Sequence, residues 1–442
     1  MNTPICDFVK NYISNNAQRF HMPGHKGVNR LGFESGDLTE VDGADSLYLA
    51  NGIIAQSEQN ASMLFGANTF YSTEGASLAI RAMLHLAIRH AKSTGASATI
   101  VAGRNAHRAF VSASALVGFD VEWICPTDQN YLSCNVTASQ LDDILSNLGQ
   151  KPAGVYLTLP DYLGNTLELQ SISKVCKAHD VLLLVDNAHG AYLKFTNPSM
   201  HPMDLGADMC CDSAHKTLPC LTGGAYLHIS HNAPSQLCDG AKNALALFGS
   251  TSPSYLILQS LDNVNAYLSN GYAQKLAQYV TEVDSLKQKL THCGWTVCGN
   301  EPLKITLDAK KFGYTGDELA DMLAQRNIVC EFHDPDYIVF MLTPDNGNLD
   351  KLGDALLSIK GRAQQLLPPP QILPCPKAMT IREATFAPCE VVDVLCAKGR
   401  ILADLSVGCP PAVPIVVCGE IITDSAIQQF LYYGITRVCV VK

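Results

Sequence analysis

The chain has 442 residues, 47% of them apolar and 16% charged, which supports a folded protein of two or three domains and argues against disorder. Its formal net charge of −10, with basic residues scattered and never in a long run, argues against nucleic-acid binding or a membrane-surface role. Seventeen cysteines without matched CxxC pairs, a start lacking the marks of a signal peptide, and no apolar run near the ~20 residues of a membrane span suggest a soluble, reduced, cytoplasmic protein without a structural metal.

In chain order, the first sixty residues are polar and punctuated by Gly and Pro, and read as a loop or extended arm containing His21-Met22-Pro23-Gly24-His25-Lys26-Gly27. A regular pattern follows from about Gly75. It predicts a helix over Ser77–His90, a strand over Ala98–Ala102, a helix over Ala109–Val117 and a strand over Val121–Cys125. Next come a helix over Ala138–Leu148, a strand over Gly154–Leu159, a helix over Ser171–His179 and the wholly apolar strand Val181–Val185. Ala207–Cys211 and Gly224–Ile229 read as further strands, and Ser254–Leu290 as a long helical stretch. Helices alternating with short apolar strands indicate an α/β fold whose largely parallel sheet is covered on both faces.

A second, smaller α/β unit is expected from near Gly294. Its predicted strands are Leu303–Leu307, Ile328–Glu331 and Tyr337–Leu342, and its helices Gly316–Gln325 and Leu349–Arg362. Leu367-Pro368-Pro369-Pro370 reads as a stiff linker, and the last part as a helix near Cys389–Val392 and a strand over Ala412–Cys418. The expected division is an arm (1–60), a large domain (61–290), a small α/β domain (291–366) and a C-terminal α+β domain (375–442).

Four segments carry chemistry. Lys216, in Cys211-Asp212-Ser213-Ala214-His215-Lys216, follows a strand at the sheet edge where ligands bind, and a buried lysine there is competent to form a Schiff base. On this segment alone the favoured reading is a surface lysine after a strand. Asp186 ends the most apolar strand, in Asp186-Asn187-Ala188-His189-Gly190. A lone carboxylate is costly there, and a pyridoxal-phosphate site needs one to keep the pyridine nitrogen protonated; the alternative is an Asp that caps its turn. Ser72-Thr73-Glu74-Gly75-Ala76-Ser77 stands before a helix, as a phosphate cup or as an ordinary N-cap. His107, in Arg104–Arg108, either lies flat against an aromatic ring or caps the next helix.

Taken in order, these segments resemble the ornithine/lysine/arginine decarboxylase family of fold type I. The likeness also rests on Phe20–Gly27, Asp37–Val41, Ser213–Pro219, Ser250–Tyr255, Arg382-Glu383-Ala384 and Pro410–Glu420. The resemblance implies a mostly parallel seven-stranded sheet flanked by helices, and the short form of the family without an N-terminal wing domain. Pyridoxal 5′-phosphate would be held on Lys216, with Asp186 at its ring nitrogen, His107 stacked on one face and Ala188 against the other. Thr73, Gly75, Ala76, Ser77, His189, Ser213 and His215 would complete the cofactor site. Ser252 would reach the cofactor phosphate of a partner in a homodimer, and the arm would lie near a dimer site. His215 or Lys216 would return a proton to Cα, and Glu420 would meet the distal cation of the substrate. Asn187 departs from the pattern, since an acidic residue often stands there. The expected reaction is decarboxylation of a basic amino acid, arginine first, then lysine or ornithine. The alternatives are another pyridoxal-phosphate reaction on the same scaffold or a non-catalytic relative.

Overall fold

The computed structural model describes the chain apart from residues 126–131, 406–407 and 410–412. The strands of its mostly parallel seven-stranded sheet are β1 (Asn68–Ser72), β2 (Thr99–Gly103), β3 (Asp120–Ile124), β4 (Gly154–Thr158), β5 (Leu182–Asp186), β6 (Met209–Asp212) and β7 (Ala225–Ile229). The chain divides into two compact units, Met1–Ser97 with Leu169–Leu276 and Ala98–Glu168 with Ala277–Lys442.

In the first unit the strands lie in the order β1, β7, β6, β5. β5 and β6 are parallel, with Asp186 opposite Cys211, and β7 is antiparallel to both β6 and β1. β5, β6 and β7 are buried along their whole length, as unbroken apolar runs predict for a sheet covered on both faces. Helix Gly75–Thr94 packs on β6 and β7, with Met83 against Cys211, and ends at Gly95 in the left-handed conformation that favours glycine.

Two expectations for this unit need correction. The predicted loop over the first sixty residues contains the helices Pro4–Ser14 and, at its end, Ile53–Phe65. The first has Pro at its opening turn, and the Ile5 and Cys6 N–H groups donate to the Asp262 carboxylate at 3.0 Å each. Its start is thus capped by a side chain more than 250 positions away, which no local pattern reveals. The long stretch from Ser254 is two helices, Tyr255–Leu268 and Tyr272–His292, interrupted where Gly271 adopts φ +74°.

In the second unit β2 pairs in parallel with β3 and with β4. The predicted helix Ala109–Val117 is an α-helix over Arg108–Ala113 that loosens into a π turn over Ser114–Gly118. A four-stranded antiparallel sheet orders Phe332–His333, Tyr337–Met341, Lys304–Asp308 and Val297–Cys298. No strand forms over Ile328–Glu331, where pairing begins only at Phe332, and the helix predicted to reach Arg362 ends at Leu357. Cys389–Val392 is not helical. Cys389–Asp393 is a strand paired antiparallel with Arg437–Val441, as the β-branched Val391 and Val392 favour once a partner strand is supplied from the chain end. Of the strand expected over Ala412–Cys418, Ala412 lies outside the described residues, as does Pro410, and Val413–Pro414 pairs with Gly408–Cys409. Val394, Leu402, Ile415, Ile422, Phe430 and Val440 of this C-terminal part share one core with Leu132, Leu163, Phe332 and Val339. Among the described residues no helix is long and apolar enough to cross a membrane, and no disulfide joins the cysteines.

Candidate active site

Two turns leave the carboxyl ends of adjacent parallel strands in the first unit, the position where open α/β sheets bind ligands. β5 ends at Asp186, buried, with Oδ1 accepting from Ala188 N at 3.2 Å, and the turn continues through the buried His189. β6 ends at Asp212, and the buried Ser213 opens a single helical turn, Ala214–Thr217, with Lys216 N donating to Ser213 O at 3.1 Å. Lys216 Nζ lies 2.9 Å from His189 Nε2. The structure therefore brings together Asp186, Ala188, His189, Ser213, His215 and Lys216 from segments some thirty residues apart in sequence.

The segment after β1 joins them. Gly75 takes φ +71° and donates its N–H to Gly223 O at 2.7 Å, while Ser72 Oγ donates to Gly75 O at 2.9 Å. Gly223 is itself at φ +101°, and a Cβ there would lie 2.8 Å from Thr73 O, so only glycine permits this approach. The neighbouring Gly224 O accepts from His215 N at 3.2 Å and from His215 Nδ1 at 2.9 Å, tying the lysine turn to the same loop. Burial lowers the His215 pKa, and the nearby Lys216 charge adds to the fall, so the ring is neutral near pH 7. Its Nδ1 carries the proton given to Gly224, which leaves Nε2 as an acceptor.

The 20-residue helix that starts at Gly75 has Ala76 and Ser77 in its first turn, whose N–H groups have no carbonyl partner within the helix itself. Thr73 is buried beside it. Glu74 Oε1 accepts from Ser250 N at 2.6 Å and Ser250 Oγ from Ser252 N at 3.1 Å, which places the segment holding the exposed Ser252 against this turn. A cavity of about 350 Å³ is lined by Thr251–Tyr255, by Met22 and Pro23 of the arm, and by Asp37–Glu40. A glycine turn at a helix start, a lysine amine and a buried carboxylate are the donor set that pyridoxal phosphate requires, and the residues present fit it.

His107 and Glu420 belong to the second unit. His107 caps the helix Arg108–Ala113, its Nδ1 accepting from Ala109 N at 3.1 Å, so the ring orientation is fixed. Glu420 Oε2 accepts from Val417 N at 2.7 Å and lies 3.5 Å from Arg104 Nη2; Arg104 also donates to Pro414 O at 2.6 Å and Ile415 O at 3.0 Å. Burial raises the Glu420 pKa against the opposing charge of Arg104.

Sequence reading missed Gly223, Glu74 and a buried polar group formed by Asn187, His201, Asp212 and His228. The Gly223-Gly224 doublet was a visible signal for a close backbone approach. The polar group had none, since its members look like separate strand and loop residues until β5, β6 and β7 are paired.

The sequence matches the family model "Orn/Lys/Arg decarboxylase, major domain" over residues 3–306. It is 30% identical to an arginine decarboxylase of Bacillus subtilis, covering 96% of this chain and 92% of that one. It is also 28% identical to an arginine decarboxylase of Halalkalibacterium halodurans, covering 96% and 91%. Among solved structures, the constitutive lysine decarboxylase of E. coli superposes with a TM-score of 0.76 at 17% identity over 100% of this chain and 82% of that one. Lysine decarboxylase A of Pseudomonas aeruginosa gives 0.79 at 17% identity over 99% and 80%. The chain belongs to the Orn/Lys/Arg decarboxylase family, as a pyridoxal-phosphate-dependent decarboxylase of basic amino acids on the type I fold.

Proposed function

We propose that arginine is the preferred substrate, that Lys216 and Asp186 hold the cofactor, and that the enzyme works as a homodimer. The observation that carries the substrate assignment is the match to arginine decarboxylases over nearly the full length of both chains. Pyridoxal phosphate, when bound, supplies the sink for the electron pair left as carbon dioxide departs. Lys216 provides the amine that holds it, and Asp186 the carboxylate for its ring nitrogen. Thr73, Gly75, Ala76, Ser77, Ser213 and His215 would hold the phosphate, and His107 and Ala188 would pack against the ring.

The Nδ1–H of His215 is held in a hydrogen bond to Gly224 O and burial lowers the ring's pKa, so Lys216 Nζ is the better group to return a proton to Cα. Both contacts of Glu420 use Oε2, which leaves Oε1 as the oxygen for the distal cation of the substrate. The exposed Phe20, Met22, Leu31 and Phe33 of the arm support pairing with a second copy, whose cofactor phosphate Ser252 would reach.

The test is to purify the protein with pyridoxal phosphate beside Lys216→Ala, record visible spectra, then offer arginine, lysine and ornithine separately. The expected result is an absorbance band that depends on Lys216, and agmatine formed with the highest kcat/KM. A band with cadaverine or putrescine favoured moves the substrate. A keto acid or ammonia in place of an amine overturns the reaction, and no band overturns the lysine assignment.

A further inference from the structure

Beneath the turns that carry Asp186 and Lys216 lies a polar cluster that the chemistry above does not use. Asp212, the last residue of β6, is wholly buried. Its Oδ1 accepts from Asn187 Nδ2 at 2.6 Å, and its Oδ2 lies 2.9 Å from His201 Nε2 and 3.1 Å from His228 Nε2. Cys210 completes a group whose donor atoms lie within 4.8 Å of one another. Two histidines, a cysteine and an aspartate are also a zinc-type ligand set, so the hydrogen-bond geometry has to decide between the readings.

Met203 N points at His201 Nδ1 from 3.4 Å, which makes Nδ1 an acceptor and puts the ring proton on Nε2, facing Asp212. Both imidazoles sit at hydrogen-bond distance from one and the same carboxylate oxygen, and the Asn187 amide occupies the other. That is a carboxylate accepting from the Asn187 amide and from His201, with the His228 ring at hydrogen-bond distance beside them, not a shell spaced around a central ion.

We propose that Asp212, through its bond to Asn187, is a positioning residue that clamps the Asp186–Gly190 turn to the Ser213–Thr217 turn and so sets Asp186 and His189 against Lys216. The inference rests on the cofactor roles proposed above for Asp186 and Lys216. Asn187 is the hub of its turn. Its N–H donates to Cys211 O at 2.9 Å and its carbonyl accepts from Gly190 N at 2.8 Å. Its side-chain Oδ1 is buried without a partner among the described residues, and a Cβ on Gly190 would fall 2.1 Å from it. The bond to Asp212 is therefore what fixes the amide, and without it a fully buried side chain loses its hydrogen bond. Burial pushes the Asp212 carboxyl upward, but the two imidazoles and their hydrogen bonds outweigh it and hold the group well below the usual carboxylate range. The acceptor thus stays charged, and a hydrogen bond to a charged buried acceptor is of the stronger kind.

The test is a reciprocal exchange in the full-length protein. Asn187→Asp sets two carboxylates against each other; Asn187→Asp combined with Asp212→Asn restores one donor and one acceptor with their direction reversed. Cofactor affinity is measured by titrating pyridoxal phosphate into the protein and following the Lys216-dependent band, whose own pH titration is recorded too. We expect the single variant to bind the cofactor about tenfold more weakly or worse, with a shifted band titration, and the exchange to recover to within about threefold of the parent. If Asn187→Asp does not fold, Asn187→Ala takes its place against the same thresholds. A folded single variant within about twofold of the parent in both readouts overturns the clamp, as does an exchange no better than the single variant. Stoichiometric zinc in the purified parent that His228→Gln loses also overturns it. Absence of the band from the parent overturns the assignment of Lys216, and the clamp with it; a band unaltered in the variant overturns the clamp alone.

Discussion

Single atoms decide the shape of the proposed cofactor cup. Gly223 stands where a methyl group would sit 2.8 Å from Thr73 O, at a φ of +101° that L side chains rarely adopt. Gly223→Ala must move the Thr73–Gly75 turn or strain the backbone, at a cost of about 1–3 kcal/mol. The displaced turn is the one whose Gly75 N–H bonds to Gly223 O. We therefore expect weaker pyridoxal-phosphate retention on dialysis, roughly fivefold or more from such an energy, with little loss of helix content by circular dichroism. Unchanged retention would show that this turn does not hold the cofactor phosphate. At this scale the position of Asp186 was legible, because a charged residue ending an apolar strand stands out in one dimension. Asp212 was not, because its partners come from three other stretches of chain.

At the scale of elements, the turn joining Phe332–His333 to Tyr337–Met341 carries a titration. Asp334 Oδ1 accepts from Asp336 N at 2.7 Å and Tyr337 N at 2.6 Å, while Oδ2 is buried without a partner among the described residues. Burial, with the nearby Asp336 and Asp317 charges, raises its pKa from 3.8 to about 7 against the pull of the two backbone N–H groups. The folded chain then holds this proton over a range where the unfolded chain has released it. Its contribution to stability is complete below about pH 4, falls as pH rises toward 7, and changes no further above that. Asp334→Asn keeps the acceptor oxygen and removes the charge, so its thermal midpoint relative to the parent should be higher at pH 8 than at pH 5. An equal difference at both pH values would refute the assignment. The β5 and β7 strands were readable from continuous burial. The Cys389–Asp393 strand was misread because a short, mostly exposed strand has no apolar run and exists through its pairing with the chain end.

For the whole molecule, the proposal concerns assembly. Phe20 is 89% exposed and Leu31 76% exposed in an arm that also lines the cavity beside Ser252. Exposed apolar side chains of this kind, grouped in one arm, support the proposed pairing with a second copy. Sedimentation velocity should give twice the chain mass, and Phe20→Asp with Leu31→Asp should shift it toward monomer with at least about a tenfold loss of activity. A monomer of full activity would remove the dimer from the reading.

The sequence by itself determined the α/β class and the succession along the chain of the main-sheet strands from β2 onward, since those features depend on periodicity and residue type. Tertiary structure alone decided which residues meet. It capped the N-terminal helix with Asp262, pressed Gly223 against Thr73 and gathered Asn187, His201 and His228 around Asp212. Hydrogen bonds and close approaches of this kind join atoms distant in sequence, and a local pattern holds no record of a contact that exists only after the strands have paired.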